Sequence, residues 1–330
     1  MQTVDIHTHL LNPQVRFDRP IDRLAMRWFG RRMGLDPARL SSDPYEAYVT
    51  ALTGAIRGSC FVQRTCLFGV DSRLDPGGQE IDRDRTVCAT TDDVLAVAET
   101  YRELFIPFLS VNPRRPDALE RIEEYVGRGC RGAKFLQNYW GVDLHDEAFI
   151  PYYERLAVHG IPLIIHIGSE YSIASDARYE RVDMLDLPLA CGVKVIAAHM
   201  GLGHIEHKLR FWHNLSRDPQ HFDPDYFILL ERLQQEPNLY ADVSGILAPF
   251  RARALRHLSE QRHIHDKILF GTDYPVPFTT MINSYDLDWS TRRQLSSIKN
   301  PFDRYLETIL MYFPPGNPIY RNYRKVIDID

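Results

Sequence analysis

The sequence predicts an α/β fold, specifically a closed (β/α)8 TIM barrel, and three observations carry that expectation. Eight short apolar runs alternate with segments of helical periodicity, the pattern of a parallel sheet. Two of these runs, Pro162-Leu163-Ile164-Ile165 and Val193-Lys194-Val195-Ile196-Ala197, are close to continuously apolar, as strands buried on both faces are. The length, 330 residues, suits a single barrel domain with insertions over residues 1–330.

The elements follow in order. Thr3–His7 reads as the first strand and Ser59–Leu67 as the second. Thr91–Glu103 has helical spacing, with Thr91 as N-cap ahead of Asp92 and Asp93. Phe105–Val111 is the third strand, stopped by Asn112-Pro113. Pro116–Val126 is a helix with proline at its start and Gly127 near its end. Gly132–Leu136 is the fourth strand; Glu147–His159 is a helix closed by Gly160, and Pro162–Ile167 is the fifth strand. Helix Val182–Ala190 precedes the sixth strand, Val193–Ala198. Ile205–Leu215 and Asp225–Gln235 are helical, Leu239–Val243 is the seventh strand, Ala248–Glu260 a helix and Lys267–Phe270 the eighth strand. A last helix, Asn300–Tyr312, precedes a Pro- and Tyr-rich tail that is expected to pack over the barrel.

One connection departs from the pattern. Leu10 to Arg57 is far longer than a usual βα loop and holds two helical patterns, Ile21–Met33 and Tyr45–Ile56. In a barrel, βα connections leave from the C-terminal face, where active sites lie. The helical insertion 10–57 is therefore a candidate lid over the mouth; its alternatives are an outer-surface helical pair or, through Met26, Trp28 and Phe29, a subunit contact, and lid and contact can coexist.

Composition narrows the function. The chain is 44% hydrophobic and 25% charged with a formal net charge of −5, and no block of like charge suggests nucleic acid or an anionic membrane surface. No segment has the unbroken apolar length of a membrane span, and Asp5, His7 and His9 break the early apolar stretch that a signal peptide would need. Cys60, Cys66, Cys88, Cys130 and Cys191 are odd in number and widely spaced, which reads as core thiols of a reduced, cytoplasmic protein.

The strand ends carry the chemistry. The first strand runs into Asp5-Ile6-His7-Thr8-His9, and two histidines two apart on a strand face the same side. The fourth strand carries Lys134, the fifth ends at His166, the sixth at His199 and the eighth at Asp273. Any one of these alone is most simply a structural residue. Four histidines and an aspartate at four strand ends converge on one rim of a barrel mouth, and imidazole is a common ligand of divalent transition metals. The remaining histidines lie on helices or loops; His204 and His207 read as a polar helix face.

The set resembles the amidohydrolase superfamily, in the form of its amidohydrolase family 2 branch of metal-dependent TIM-barrel hydrolases. The matching residues are Asp5-Ile6-His7-Thr8-His9, Gly132-Ala133-Lys134-Phe135, Ile165-His166-Ile167-Gly168, Ala198-His199-Met200-Gly201 and Gly271-Thr272-Asp273-Tyr274-Pro275. That branch holds hydrolases of amides, esters and lactones as well as hydratases and decarboxylases of the aminocarboxymuconate-semialdehyde type. The resemblance implies that His7, His9, His166 and Asp273 bind one divalent metal, zinc first, with manganese or iron as alternatives. A catalytic metal lowers the pKa of bound water toward ~7. The resemblance further implies that Asp273 accepts the water's proton and that His199 contacts the water or the substrate carbonyl. Lys134 is expected to bridge a second metal only if it is carbamylated, and otherwise to contact a rim or substrate carboxylate.

Around this centre, Glu170, Tyr171, Arg64 and Trp140 are candidate pocket residues, with Asp71, Arg73, Tyr139 and Trp28 nearby and Ser244-Gly245 beneath. Arg64 is the candidate partner of an anionic substrate. Three readings compete: a hydrolase of a small-molecule amide, ester or lactone; a decarboxylase or hydratase of a small unsaturated or aromatic acid on the same site; and a barrel that has lost its chemistry. The last is disfavoured because clustered polar groups are costly to keep. Ile167-Gly168-Ser169-Glu170 after the fifth strand tilts the choice toward hydrolysis, whereas an arginine facing the open metal position would favour decarboxylation. A homo-oligomer is expected, and no nucleic-acid or membrane partner.

Overall fold

The computed structural model describes residues 1–14, 30, 43–81, 89–168, 175–203, 216–249 and 251–329. Ten strands run in chain order: β1 (Thr3–His9), β2 (Val62–Phe68), β3 (Arg73–Leu74), β4 (Glu80–Ile81), β5 (Phe105–Pro107), β6 (Ala133–Phe135), β7 (Leu163–Ile165), β8 (Val195–Ala197), β9 (Leu239–Asp242) and β10 (Ile268–Leu269). β3 and β4 form a small antiparallel hairpin; the other eight are parallel, in hydrogen-bonded runs β1-β2-β5 and β6-β7-β8-β9-β10.

Two seams close the ring. Beyond β5, the Leu109 amide donates to the Gly132 carbonyl at 2.8 Å and the Lys134 amide to the Leu109 carbonyl at 2.8 Å. Between β10 and β1, the Ile6 amide donates to the Phe270 carbonyl at 3.1 Å, the Asp273 amide to the His7 carbonyl at 2.9 Å and the His9 amide to the Tyr274 carbonyl at 2.8 Å. The eight expected strands thus form the expected barrel.

Side chains alternate between two cores, as the pleat requires. One set, including Val4, Ile6, Cys66, Ile106, Phe108, Ile164, Ile196 and Leu269, fills the barrel interior. The other packs outward under the helices. Gly132 is the tightest point of the interior: a Cβ there would lie 2.1 Å from the Phe108 ring. Gly132→Ala should cost about 1–3 kcal/mol by overpacking, measured as a lower urea midpoint with an unchanged slope.

Helix boundaries shift from those expected. The second helix is Thr91–Thr100, capped by Thr90 rather than Thr91; the Thr90 hydroxyl accepts from the Asp93 amide while the Asp93 carboxylate accepts from the Thr90 amide. Ala248–Glu260 contracts to Leu255–Glu260. Thr280–Asn283 and Trp289–Ser297 are helices that the polar periodicity of that stretch concealed.

The Tyr45–Ile56 pattern becomes helix Pro44–Arg57, which buries Tyr48, Val49, Leu52 and Ile56 in the outer core beside β2. It therefore packs in the barrel's outer ring, which is the outer-surface alternative. The Ile21–Met33 pattern, with Met26, Trp28 and Phe29, lies outside the described residues apart from Gly30. The expected helix Ile205–Leu215, with His204 and His207, and the thiol of Cys88 lie outside them too.

The tail has a defined place. Helix Tyr323–Val326 and Ile327 insert into the interior core beside Val4, which sits near the start of β1, so they plug the N-terminal end of the barrel. Among the described residues the cysteines are free, with Cys66 and Cys130 buried, and no helix is long and apolar enough to cross a membrane.

Candidate metal centre

The C-terminal ends of the strands bring His7, His9, His166, His199 and Asp273 together. β1 extends to His9, two residues past its expected end, so both histidines are held by ladder bonds to β2 and to the loop after β10. His7 Nε2 and His9 Nε2 lie 3.4 and 3.3 Å from Asp273 Oδ1. Ligand atoms of these three residues all fall within 4.8 Å of one another. His199 stands next to them, its ring centroid 5.0 Å from that of His7, and His166 follows at 4.9 Å from His199. His166 thus lies on the His199 side of the group rather than inside the tight three-residue cluster.

Backbone strain fixes these positions. His199, Met200 and Asp273 adopt φ values of 62°, 57° and 69°, a left-handed region that residues with a Cβ seldom occupy. Such residues persist only where the surroundings over-determine them. Here the Asp5 carboxylate is one clamp: it is buried and accepts from the His7 amide at 2.9 Å and the Thr272 amide at 3.0 Å, tying β1 to the turn that presents Asp273. Burial pushes the Asp5 carboxyl up to about 7 even though Thr272 and His7 donate to it. A second clamp is Gly245 at φ 62°, where a Cβ would lie 2.8 Å from Asp273 Oδ2, 3.2 Å from Arg251 Nε and 3.3 Å from His199 Nδ1.

Asp242, at the end of β9, organises the imidazoles and was absent from the sequence expectation. Its Oδ2 lies 2.8 Å from His7 Nδ1, and its Oδ1 accepts from the His199 and Ser244 amides, each at 3.0 Å. The Ser244 hydroxyl also donates to Oδ1. Burial works against the charge, but His7 beside it and these donors hold the carboxyl below its usual value. An ionised Asp242 accepts only, so His7 carries its proton on Nδ1 and directs the Nε2 lone pair at the cluster. His199 Nδ1 lies 3.0 Å from the Ser244 carbonyl, which likewise accepts only. Its Nε2 therefore also bears the lone pair. The Ser244 hydroxyl lies 3.1 Å from His7 Nδ1 and 2.9 Å from His199 Nδ1.

Burial, followed by the charge of Lys134, holds His7 and His166 below the ordinary imidazole value; burial, followed by Arg251, does so for His199. Neutral imidazoles are what a metal ligand requires. His7 Nε2 is buried and has no hydrogen-bond partner. Two imidazole nitrogens and a carboxylate oxygen lie within 4.8 Å of one another, a donor set that suits zinc and equally accommodates manganese. The residues therefore fit a divalent ion.

Lys134 belongs to an interior layer in which it pairs in register with Ile164, followed by Ile196 and Tyr240. It is fully buried, with its ammonium 5.5 Å from the centroid of Phe68, whose ring edges meet His7 and His9. It rises beneath the cluster from inside the barrel.

The candidate pocket residues fare differently. Arg64 is the third residue of β2, in register with Val4 and donating weakly to the Phe105 carbonyl at 3.4 Å. That is the N-terminal face, opposite the mouth, so the expected role of Arg64 against a substrate anion is corrected. Alternation along a strand identifies a residue's face but not how far along the barrel it lies. Trp140 is buried, edge-on to Phe135 at 5.2 Å, with its indole N–H donating to the Asp71 carbonyl at 2.8 Å. Asp71 itself is held by Arg115 through two contacts of 2.6 and 2.7 Å. Glu170 and Tyr171 lie outside the described residues.

The arginine at the mouth is Arg251, which sequence reasoning missed because it sits in a loop without periodicity. It is 3% exposed, and its Nη1 donates to the Leu202 carbonyl at 2.7 Å. Its Nε is buried without a hydrogen-bond partner, on the Gly245 side where Asp273 Oδ2 and His199 Nδ1 also lie. Asn283 holds that loop by donating to the Ile246 and Ala248 carbonyls at 2.9 and 3.0 Å.

Solved structures share this architecture. An uncharacterised TIM-barrel protein from Bordetella bronchiseptica aligns with a TM-score of 0.57 at 18% identity, covering 94% of this chain and 99% of its own. A probable 2-pyrone-4,6-dicarboxylic acid hydrolase from Acinetobacter baumannii, with citric acid bound, gives 0.57 at 14% identity and 99% of both chains. An amidohydrolase from Burkholderia multivorans with bound zinc gives 0.50 at 16% identity, covering 94% of this chain and 99% of its own. No curated protein matches the chain. The amidohydrolase family model matches residues 4–293, which takes in every strand end described above. The chain belongs to the amidohydrolase family.

Proposed function

We propose that this protein is a metal-dependent hydrolase of a small molecule that carries a carboxylate next to a scissile ester, lactone or amide bond. The convergence of His7 Nε2 and His9 Nε2 on Asp273 Oδ1 carries the reading. His7, His9 and Asp273 would hold the ion, with His166, on the His199 side, as the fourth donor that the family resemblance implies. A divalent ion in that position acidifies bound water and polarises the carbonyl. Asp273 divides its labour: Oδ1 faces the two histidines, while Oδ2, on the side of His199 and Arg251, accepts the proton of the attacking water. Neutral His199, with its lone pair on Nε2, accepts a hydrogen bond from that water and orients it. Arg251 receives the substrate carboxylate through its Nε edge.

A buried guanidinium beside the centre is the feature that favours an acid that loses carbon dioxide, and it supports decarboxylation as the second reading. Small lactones, esters and amides bearing a carboxylate, together with aromatic and unsaturated acids, should be screened against protein loaded with zinc or manganese. Two cleavage products whose masses sum to the substrate plus one water, or for a lactone a single ring-opened acid, support hydrolysis; a product lighter by carbon dioxide replaces it with the second reading. Arg251→Gln should raise KM for the carboxylate substrate by about tenfold to a hundredfold and leave the metal content unchanged, with Arg251→Lys intermediate. An unchanged KM would remove Arg251 from substrate recognition.

A further inference from the structure

The N-terminal face of the barrel carries a second concave site, remote from the metal centre. It is a cleft of about 390 Å³ between the ends of helices Thr91–Thr100 and Ala118–Gly127 and the starts of β2, β5 and β6. Four arginines line it, Arg64, Arg102, Arg128 and Arg131, against a single acid, Glu99. Its remaining wall is apolar and includes Leu95, Phe105 and Ile329.

Only one of the four arginines is neutralised. Arg128 is bound to Asp92 at 2.6 Å and Glu124 at 3.1 Å. Among the described residues, Arg64, Arg102 and Arg131 form no ion pair, and Arg64 Nε is buried without a hydrogen-bond partner. Cations at helix C-termini complement the carbonyl ends of the helix, which accounts for Arg102 and Arg128. It does not account for Arg64, on a strand, or for Arg131, in the connection before β6. Desolvating a guanidinium donor without a partner is costly.

We propose that this cleft binds a small organic anion of charge about −2, a phosphate ester or dicarboxylate head on an apolar body. Three uncommitted guanidiniums facing one carboxylate leave a local charge that such a dianion would balance, and the apolar wall suits its body. The site is distinct from the catalytic mouth, because Arg64 lies at the opposite end of β2 from Phe68, the residue that touches His7 and His9.

Calorimetric titration of the metal-loaded full-length protein with phenyl phosphate, phthalate and inorganic phosphate tests this. Phenyl phosphate or phthalate should bind at least about tenfold more tightly than inorganic phosphate. Arg64→Gln combined with Arg131→Gln should weaken that binding by about tenfold or more, with metal content unchanged. Asp273→Asn should not weaken it, since the mouth is elsewhere. Arg102→Gln, at an exposed position, gives an independent arm if the double variant is poorly folded, and should weaken binding in the same direction. Binding that survives the arginine variants, or that is lost in Asp273→Asn, would place the anion at the metal centre and overturn the proposal. Equal affinity for inorganic phosphate and phenyl phosphate, or no binding at all, would overturn it as well.

Discussion

Replacing Asp273 with asparagine should remove both the bound ion and the activity while leaving the barrel folded. Asparagine keeps the shape, so the amide that donates to the His7 carbonyl and the left-handed backbone at Asp273 are preserved. What changes is the charge beside the two imidazoles, and with it the only anionic donor in the three-residue cluster. Loss of proton acceptance at Oδ2 alone is expected to lower kcat by about 10²–10⁴-fold, and weakened metal retention adds to that. Metal content by mass spectrometry and activity with excess zinc or manganese separate the two effects. Activity fully restored by excess metal would mean that Asp273 holds the ion but takes no proton. Full activity without added metal would place the reaction elsewhere.

The residues that meet at the mouth were legible in the sequence because each ends an apolar run, and a barrel sends all strand ends to one rim. His7 and His9 gave the strongest signal, since their spacing fixes a shared face whatever the loops do. Residues that act behind them were not legible for identifiable reasons. Asp242 closes Leu239-Tyr240-Ala241-Asp242 in the same manner as the ligands, but nothing in the chain says that an acid at a strand end will accept from His7 and not bind metal. That signal was available: a buried carboxylate in an apolar strand needs a donor. Arg251 had no such signal, because its position depends on the left-handed turn at Gly245 and on Asn283, more than thirty residues downstream. Arg64 was misplaced because strand starts are blurred by local apolar content; β2 begins at Val62, so its third residue belongs to the far face. Helix Pro44–Arg57 was correctly periodic, yet periodicity does not distinguish a lid from an outer-ring helix. Only contacts show how it packs, among them the Tyr48 hydroxyl, which donates to the His9 carbonyl.

Asp242→Asn should lower metal affinity by about 10–100-fold without altering any residue of the proposed ligand set. The carboxylate does two things, the first of which an amide cannot do and the second of which it does more weakly, without the charge. It fixes the proton of His7 on Nδ1, so that Nε2 offers its lone pair to the cluster; an asparagine that turns its NH2 group toward Nδ1 stabilises the opposite tautomer and presents an N–H to the ion. It also accepts from the His199 amide, the Ser244 amide and the Ser244 hydroxyl through one oxygen, which holds β8 and β9 in register around the strained His199. Loss of the charge therefore reaches His199 as well as His7, and the defect should appear in kcat at saturating metal, not only in the metal dissociation constant. Asp242→Ala, which leaves those donors buried and unpaired, should in addition destabilise the fold by about 1–3 kcal/mol. Titration of the apo protein with zinc, thermal unfolding of both variants and kcat at saturating metal distinguish these contributions. If Asp242→Asn binds zinc like the parent protein, His7 does not depend on Asp242 for its tautomer, and the route from β9 to the metal centre is structural only.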